Sequence, residues 1–125
     1  MRQENKAVRR EYDAANTARE IVDIAVDKKA SDVTLLEIGK ATTLAEYFVV
    51  ATASSDRMLQ AISRAVRDAM SDDDIALIGE EGPATQGWVL LDYGQVVVHL
   101  FSPEQRDYYD LERRWNEAPT LLKIQ

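Results

Sequence analysis

The segment 87–101, GWVLLDYGQVVVHLF, constrains the fold more than any other part of the chain, because two apolar runs flank a Tyr-Gly pair. Glycine adopts a positive φ without steric cost, so this pattern predicts a tight β-hairpin with its loop at Tyr93 and Gly94. A two-residue loop there places these residues opposite each other on one face: Asp92 with Gln95, Leu90 with Val97, and Trp88 with His99.

The two faces of the predicted hairpin differ in chemistry, because successive side chains of a strand point to opposite sides. One face carries only aliphatic side chains and is predicted to lie in the core, namely Val89, Leu91, Val96, Val98 and Leu100. The other face is mixed and comprises Trp88, Leu90, Asp92, Val97, His99 and Phe101. This mixed face either packs beneath a helix or contacts a partner.

The size and composition of the chain fit one soluble domain. With 125 residues, of which 46% are hydrophobic, it can bury a substantial core. It has no cysteine and one histidine, which excludes disulfides and thiol chemistry and argues against a histidine metal site. No apolar run approaches the roughly 20 residues that span a bilayer, and no signal-peptide core is present. We therefore expect a cytoplasmic protein that does not bind a membrane.

The net charge of −7 is unevenly distributed along the chain. No Lys or Arg occurs between Arg67 and Arg106, and this interval contains the hairpin together with a series of carboxylates. Such a surface repels a phosphate backbone, so direct nucleic-acid binding is not expected. It attracts and steers a basic protein surface. The alternative is a solvated acidic surface that only aids solubility.

Periodicity and capping signals predict the remaining elements. Apolar residues at helical spacing predict a helix from about Asn16 to Lys28-Lys29, and a second one after the capping sequence SSD at 54–56. Strands are predicted at 32–38, within 44–53 and at 75–78, and a loop at 80–87. A final helix is predicted to place Tyr108, Leu111 and Trp115 toward the core, and Pro119 ends it. The order α-β-β-α-β-β-β-α predicts an α/β (α+β) fold, a small mixed β-sheet with flanking helices.

Three further features could carry chemistry. The run DDD at 72–74 lacks the alternating spacing, turn glycine and later glutamate of a calcium loop, so a solvated helix end is favoured. His99 has no nucleophile motif nearby, which favours a structural or interface histidine over a general base. The segment TASS at 52–55 resembles the Gly-Ser turn of nucleotidyltransferases, so an enzyme using the Ser54-Ser55 turn is the alternative function. Ala53 replaces the expected glycine, however, and the paired metal-binding carboxylates are missing after it.

Several segments, taken together, resemble one known family. They are EYFVVA at 46–51, S-x-R at 55–57, EG at 81–82, WVLLDYG at 88–94, VVVH at 96–99 and Y-x-L-E-x-x-W-x-x-A-P at 109–119. In this combination they resemble the ribosomal silencing factor family, also called Iojap-like proteins, over about 16–119. Residues 1–15 are then an N-terminal extension and 120–125 a C-terminal tail. Ala53, Met58 and Arg114 depart from the family pattern, at positions away from the hairpin.

The resemblance implies a nucleotidyltransferase-like α/β fold without transferase activity. We expect no cofactor and no metal ion. It also implies binding to ribosomal protein fourteen of the large ribosomal subunit. Bound there, the family blocks joining of the small subunit and represses translation when nutrients are scarce. Off the ribosome, it implies a homodimer.

The resemblance also indicates partner-binding residues. In the family, the hairpin Trp and the residue after its Asp belong to the contact surface, and these are Trp88 and Tyr93 here. The pairing argument adds Leu90, Asp92 and Phe101 to the predicted contact.

Overall fold

The computed structural model describes residues 13–125. Of the predicted N-terminal extension, 1–15, only the last three positions lie within the described residues. Asp13 caps the first helix, because its Oδ1 accepts a hydrogen bond from the backbone N–H of Asn16 at 3.1 Å. Ala14 and the residue after it already belong to that helix, which therefore begins slightly before the predicted start.

Within residues 13–125 the chain forms four α-helices, a 3-10 turn and six strands. The helices are α1 (Ala14–Asp27), α2 (Asp56–Asp72), α3 (Pro103–Tyr109) and α4 (Leu111–Arg114), and the 3-10 turn is Ala84–Gln86. The strands are β1 (Ser31–Glu37), β2 (Tyr47–Thr52), β3 (Gly79–Glu81), β4 (Trp88–Asp92), β5 (Val96–Phe101) and β6 (Thr120–Ile124). In the sheet order β3-β4-β5-β2-β1-β6, β2 and β5 are parallel and all other neighbours are antiparallel. The predicted mixed sheet with flanking helices is confirmed.

Helices α1 and α2 cover one face of the sheet, because each carries an apolar stripe at helical spacing. The buried stripe positions include Ala18, Ile21, Val22 and Ala25 in α1, and Leu59, Ile62, Val66 and Met70 in α2. The hairpin residues predicted for the core, Val89, Leu91, Val96, Val98 and Leu100, are buried in the same cluster. The central strand β2 is buried on both faces over 48–52, as the sequence predicts.

The opposite face of the sheet is covered by residues 103–118, here called the cap segment, which contains α3 and α4. A second, smaller cluster forms beneath it, comprising Leu36, Ile38, Ala45, Phe48, Val50, Phe101, Leu111 and Ala118. The predicted final helix is broken at Asp110, whose left-handed φ of 49° ends α3. The break leaves Tyr108 77% exposed, so its predicted core position is wrong, whereas Leu111 is buried.

The hairpin forms, but in a register that differs from the predicted one by two residues. The N–H of Tyr93 donates to the carbonyl of Val96 at 2.9 Å, so the loop is Gly94-Gln95 and not Tyr93-Gly94. Gly94 has a φ of 87°, and its N–H donates to Asp92 Oδ1 at 2.8 Å. These two features place the loop one position later in the chain than predicted, which moves the pairing by two residues. The observed pairs are Asp92–Val97, Leu90–His99 and Trp88–Phe101. Because side chains alternate with a period of two, this shift leaves every side chain on its predicted face.

The two edges of the sheet also differ from the prediction. Strand β3 occupies Gly79–Glu81, largely within the predicted loop, whereas the predicted strand at 75–78 does not form. Ile78 contributes only one hydrogen bond, from its N–H to the carbonyl of Asp92 at 2.8 Å. At the other edge, the residues predicted as a C-terminal tail contain β6, which pairs antiparallel with β1.

Candidate protein-binding surface

Strand β4 presents a row of half-buried side chains on the face of the sheet that the cap segment only partly covers. Trp88, Leu90 and Asp92 form this row, while the residues between them are buried against the helices. Glu81 of β3 pairs with Leu90 and is exposed, so its carboxylate shares the same face. Trp88, Leu90, Asp92 and Glu81 are called the β4 surface. They place an apolar pair next to two carboxylates.

Tyr93 does not belong to the β4 surface. As the neighbour of Asp92 it points to the opposite face, where it is 3% exposed within the main core. Burial raises the pKa of its hydroxyl to about 12, against a smaller lowering effect of the Arg67 charge. Its hydroxyl oxygen has no hydrogen-bond partner within the described part of the chain. The predicted contact role of Tyr93 is therefore corrected to a core position.

Phe101 also lies in the interior, beneath the cap segment. It is 1% exposed, and its ring stacks on Tyr109 of α3 with the ring centroids 5.5 Å apart. Helix α3 covers it because α3 starts after a single residue, Ser102, and folds back over the end of β5. The predicted contact role of Phe101 is corrected accordingly. The sequence left open whether His99 faces a partner or a helix, and His99 is buried on the same side of β5.

These rings belong to a continuous row of aromatic side chains on the cap side of the sheet. His99 lies 4.5 Å from Phe48 and 6.1 Å from Phe101, measured between ring centroids. Phe48 in turn meets the ring of Trp115 edge-on at 5.7 Å. The row therefore fills the space between the cap segment and strands β2 and β5, and it holds the cap in a fixed position.

At its other end the row reaches the surface. The ring of Tyr109 lies 6.1 Å from Trp88, and Tyr108 meets Tyr109 edge-on at 5.2 Å. Sequence reasoning missed these two tyrosines as surface residues because it continued the helix through them. The signal that could have indicated the break is Asp110, since Asp tolerates left-handed φ and is a weak helix former.

Arg106 fastens the cap segment to the sheet. Its guanidinium donates to Thr52 Oγ1 at 2.8 Å and to Thr34 Oγ1 at 3.3 Å, and it forms an ion pair with Glu112. Burial acts to raise the pKa of Glu112, but the hydrogen bond and charge of Arg106 outweigh it and lower that pKa below its ordinary value. One side chain from α3 thus joins β1, β2 and α4.

The start of β4 is attached to the start of α3. Gly87 has a φ of 80°, and a Cβ at this position would lie 2.7 Å from Ser102 Oγ. The backbone N–H of Ser102 donates to the carbonyl of Gly87 at 2.8 Å. This close approach requires glycine, and it brings Trp88 next to Tyr109.

His99 has a buried imidazole whose Nε2 has no hydrogen-bond partner among residues 13–125. Burial lowers its pKa to about 4. The unfolded chain binds a proton at this side chain below about pH 6.5, the ordinary value, whereas the folded chain does so only near pH 4. The free energy of unfolding therefore falls as the pH falls through this window.

We expect His99→Leu to remove part of the acid sensitivity of the fold. Between pH 7 and pH 5 the wild type should lose about 2 kcal/mol more stability than the variant, because only the wild type gains a proton at this position on unfolding. Urea unfolding at the two pH values measures the difference. Equal losses in the two proteins would show that burial does not lower the pKa of His99 in the folded state.

Comparison with known proteins identifies the chain. A family model described as ribosomal silencing factor during starvation matches residues 11–125. The chain belongs to the ribosomal silencing factor family. It is 39% identical to the ribosomal silencing factor RsfS of Bacillus subtilis over 93 residues, which cover 74% of this chain and 79% of that protein. It is also 34% identical to the chloroplastic protein Iojap of Arabidopsis thaliana, covering 81% of this chain and 42% of that longer protein.

Solved structures show the same fold. A crystal structure of a Chromobacterium violaceum protein superposes with a TM-score of 0.80 at 32% identity, covering 84% of this chain and 88% of that one. A Bacillus halodurans crystal structure gives a TM-score of 0.71 at 32% identity, covering 86% and 95%. The predicted family membership and fold of the chain are therefore confirmed.

In this chain the Ser54-Ser55 turn caps a helix. Ser55 Oγ accepts a hydrogen bond from the backbone N–H of Met58 at 3.1 Å, as the capping signal predicts. Thr52 ends the strand that precedes this turn, and its hydroxyl oxygen accepts a hydrogen bond from the Arg106 guanidinium. Within the described residues no three His, Cys, Asp or Glu side chains are grouped as a metal site requires.

The aspartates at 72–74 end α2, with Asp73 as its C-cap. Burial and a hydrogen bond with Asp73 raise the pKa of Glu20 above its ordinary value.

In the part of the chain described here, no helix is long and apolar enough to cross a membrane.

Proposed function

We propose that the chain binds the large ribosomal subunit through ribosomal protein fourteen and thereby blocks joining of the small subunit. The observation that carries this proposal is the β4 surface, where Trp88 and Leu90 remain accessible beside the carboxylates of Asp92 and Glu81. Half-buried apolar residues within an acidic rim are typical of a protein contact and not of a catalytic site.

The charge distribution supports a basic partner. The β4 surface lies within the stretch from Arg67 to Arg106 that contains no other Lys or Arg. Arg67 itself pairs with Glu80 at 3.0 Å, so its charge is neutralised locally. Carboxylates around an apolar centre speed encounter with a basic protein, while the apolar centre supplies most of the affinity.

Inhibition in this proposal is steric and needs no catalysis. The domain is one sheet packed on both faces, so a bound copy is a rigid obstacle at the subunit interface. Translation is repressed because large subunits with this protein bound cannot form complete ribosomes. A cytoplasmic location, where ribosomes assemble, belongs to the same proposal.

The proposal is tested by sedimenting both ribosomal subunits through a density gradient with and without the protein. We expect the protein to travel with the large subunit and to reduce the fraction of joined ribosomes in proportion to its occupancy. Val26→Ala is the matched control, because Val26 lies on α1, which covers the opposite face of the sheet, and is also exposed. Normal joining of subunits that are saturated with the wild-type protein would overturn steric blockage.

The homodimer is a further part of the proposal, and strand β6 supports it. This strand has a neighbour on one side only, and its five residues are all exposed, including Leu121, Leu122 and Ile124. An apolar edge strand with unpaired backbone groups can pair with the same strand of another copy. Light scattering at increasing protein concentration measures this, and a constant monomer mass would contradict it.

A further inference from the structure

We propose that Tyr108 and Tyr109 of α3 extend the β4 surface and stack against arginine side chains of the basic partner. The proposal rests on the function proposed above and adds a second element, the cap segment, to the contact. Sequence patterns place Tyr108 in the core, so only the folded structure indicates this surface.

The three rings of Trp88, Tyr109 and Tyr108 form one continuous surface. Tyr109 lies 6.1 Å from Trp88 and 5.2 Å from Tyr108, and the last two rings are at 84° to each other. Exposure increases outward along the row, from half-buried Trp88 to 38% for Tyr109 and 77% for Tyr108. Adjacent exposed aromatic rings on a soluble protein mark an interaction site more often than isolated ones do.

The ring of Tyr109 and the helix that carries both tyrosines are packed against the domain before any partner binds. Tyr109 is stacked on buried Phe101, and α3 is fastened by the contacts of Arg106 with Thr52 and Glu112. Because helix α3 is already anchored by these contacts, binding need not order its backbone, which reduces the loss of conformational entropy. Such preorganised aromatic residues are efficient contact residues.

The charges around the rings favour a cationic partner. Helix α3 carries Glu104 and Asp107, both exposed, and Asp110 follows it. Its own cation, Arg106, is paired with Glu112, and the next cations along the chain are Arg113 and Arg114 of α4. A cation that approaches an aromatic face beside carboxylates gains both ion pairing and cation–π attraction.

Arginine fits these rings better than lysine does. Its guanidinium is planar, so it stacks on an aromatic face while its N–H groups donate to a neighbouring carboxylate. The occupant proposed for the rings is therefore an arginine-bearing segment of the basic protein that the β4 surface contacts.

The test compares Tyr108→Phe and Tyr108→Leu in co-sedimentation with isolated large ribosomal subunits. The Phe variant keeps the aromatic face and should bind within about twofold of wild type. The Leu variant keeps apolar area but loses the ring, and its affinity should fall roughly 3- to 10-fold. Tyr108 is exposed, so both variants are expected to fold normally, and Val26→Ala again serves as the control.

Salt dependence separates stacking from general electrostatic attraction. Tyr108→Leu removes no charge, so the slope of log affinity against log salt concentration should equal that of wild type. Asp107→Asn removes one exposed charge of α3 and should make the slope shallower.

The possible outcomes distinguish this inference from the function on which it rests. Wild-type affinity in Tyr108→Leu, together with weakened binding in Trp88→Ala, would overturn the inference and leave the proposed function intact. Equal losses in the Phe and Leu variants would overturn the stacking role. Absence of large-subunit binding by the wild type would overturn the proposed function and this inference with it.

Discussion

Replacing Trp88 with alanine is expected to weaken binding to isolated large ribosomal subunits about 30-fold, equivalent to about 2 kcal/mol, the typical loss at a central aromatic contact residue. Trp88 has this role because it is the largest apolar side chain of the β4 surface and is only half-buried in the free protein. Its remaining surface is available for burial against a partner. Co-sedimentation over a range of subunit concentrations measures the change.

The control for this experiment is a check that the fold survives. Trp88 contacts Tyr109, so circular dichroism and urea unfolding of Trp88→Ala should accompany the binding measurement. Trp115 remains as a fluorescent probe of the cap segment in the variant. A well-folded Trp88→Ala protein that binds as tightly as wild type would show that the β4 surface is not the contact.

Phe101→Ala is expected to lower the free energy of unfolding by about 3–5 kcal/mol, the range for truncation of a buried aromatic residue. The loss is large because Phe101 is almost fully buried and packs between the ring of Tyr109 and that of His99, so truncation removes these contacts and leaves a cavity. Urea unfolding followed by circular dichroism measures the change. A variant as stable as wild type but unable to bind the large subunit would instead return Phe101 to the contact surface.

Tyr93→Phe is the matched control for the core assignments. It removes a buried hydroxyl oxygen that has no partner among the described residues and keeps the ring. Removal of an unsatisfied buried polar group is neutral or stabilising, so neither stability nor large-subunit binding should fall. Weakened binding in this variant would place Tyr93 at the contact despite its burial.

The face assignment of the hairpin was predictable from the sequence, whereas its register was not. Alternation of aliphatic and mixed residues separates Leu91 and Val98 from Trp88 and Leu90 without any tertiary information. The register depends on which residue takes the positive φ and on the hydrogen bond from Gly94 to Asp92. A register error of two residues changes the cross-strand partner of every residue but leaves each side chain on the same face of the sheet. The hydrophobic pattern therefore cannot distinguish the two registers.

The candidate site was predictable only in part for a related reason. The sequence indicates that Trp88, Leu90 and Asp92 share a face, and the structure places them there beside Glu81. The sequence cannot indicate how much of that face another segment of the chain covers. Phe101 shares the face of Trp88 and is nevertheless buried, because α3 folds over one end of β5 and leaves β4 partly open.

What the sequence by itself determined is the family, the mixed sheet with its flanking helices, and the hairpin with one aliphatic face. Each of these features depends on local sequence patterns, either a hydrophobic period of 2 or 3.6 residues or short motifs of a few residues each. Only the tertiary structure decided that Tyr93 and Phe101 are interior, that Tyr108 is exposed, and that Arg106 fastens the cap. Whether a side chain is buried depends on which segments pack over it. Here those segments are either distant in the chain or depend on the left-handed backbone of a single residue, Asp110.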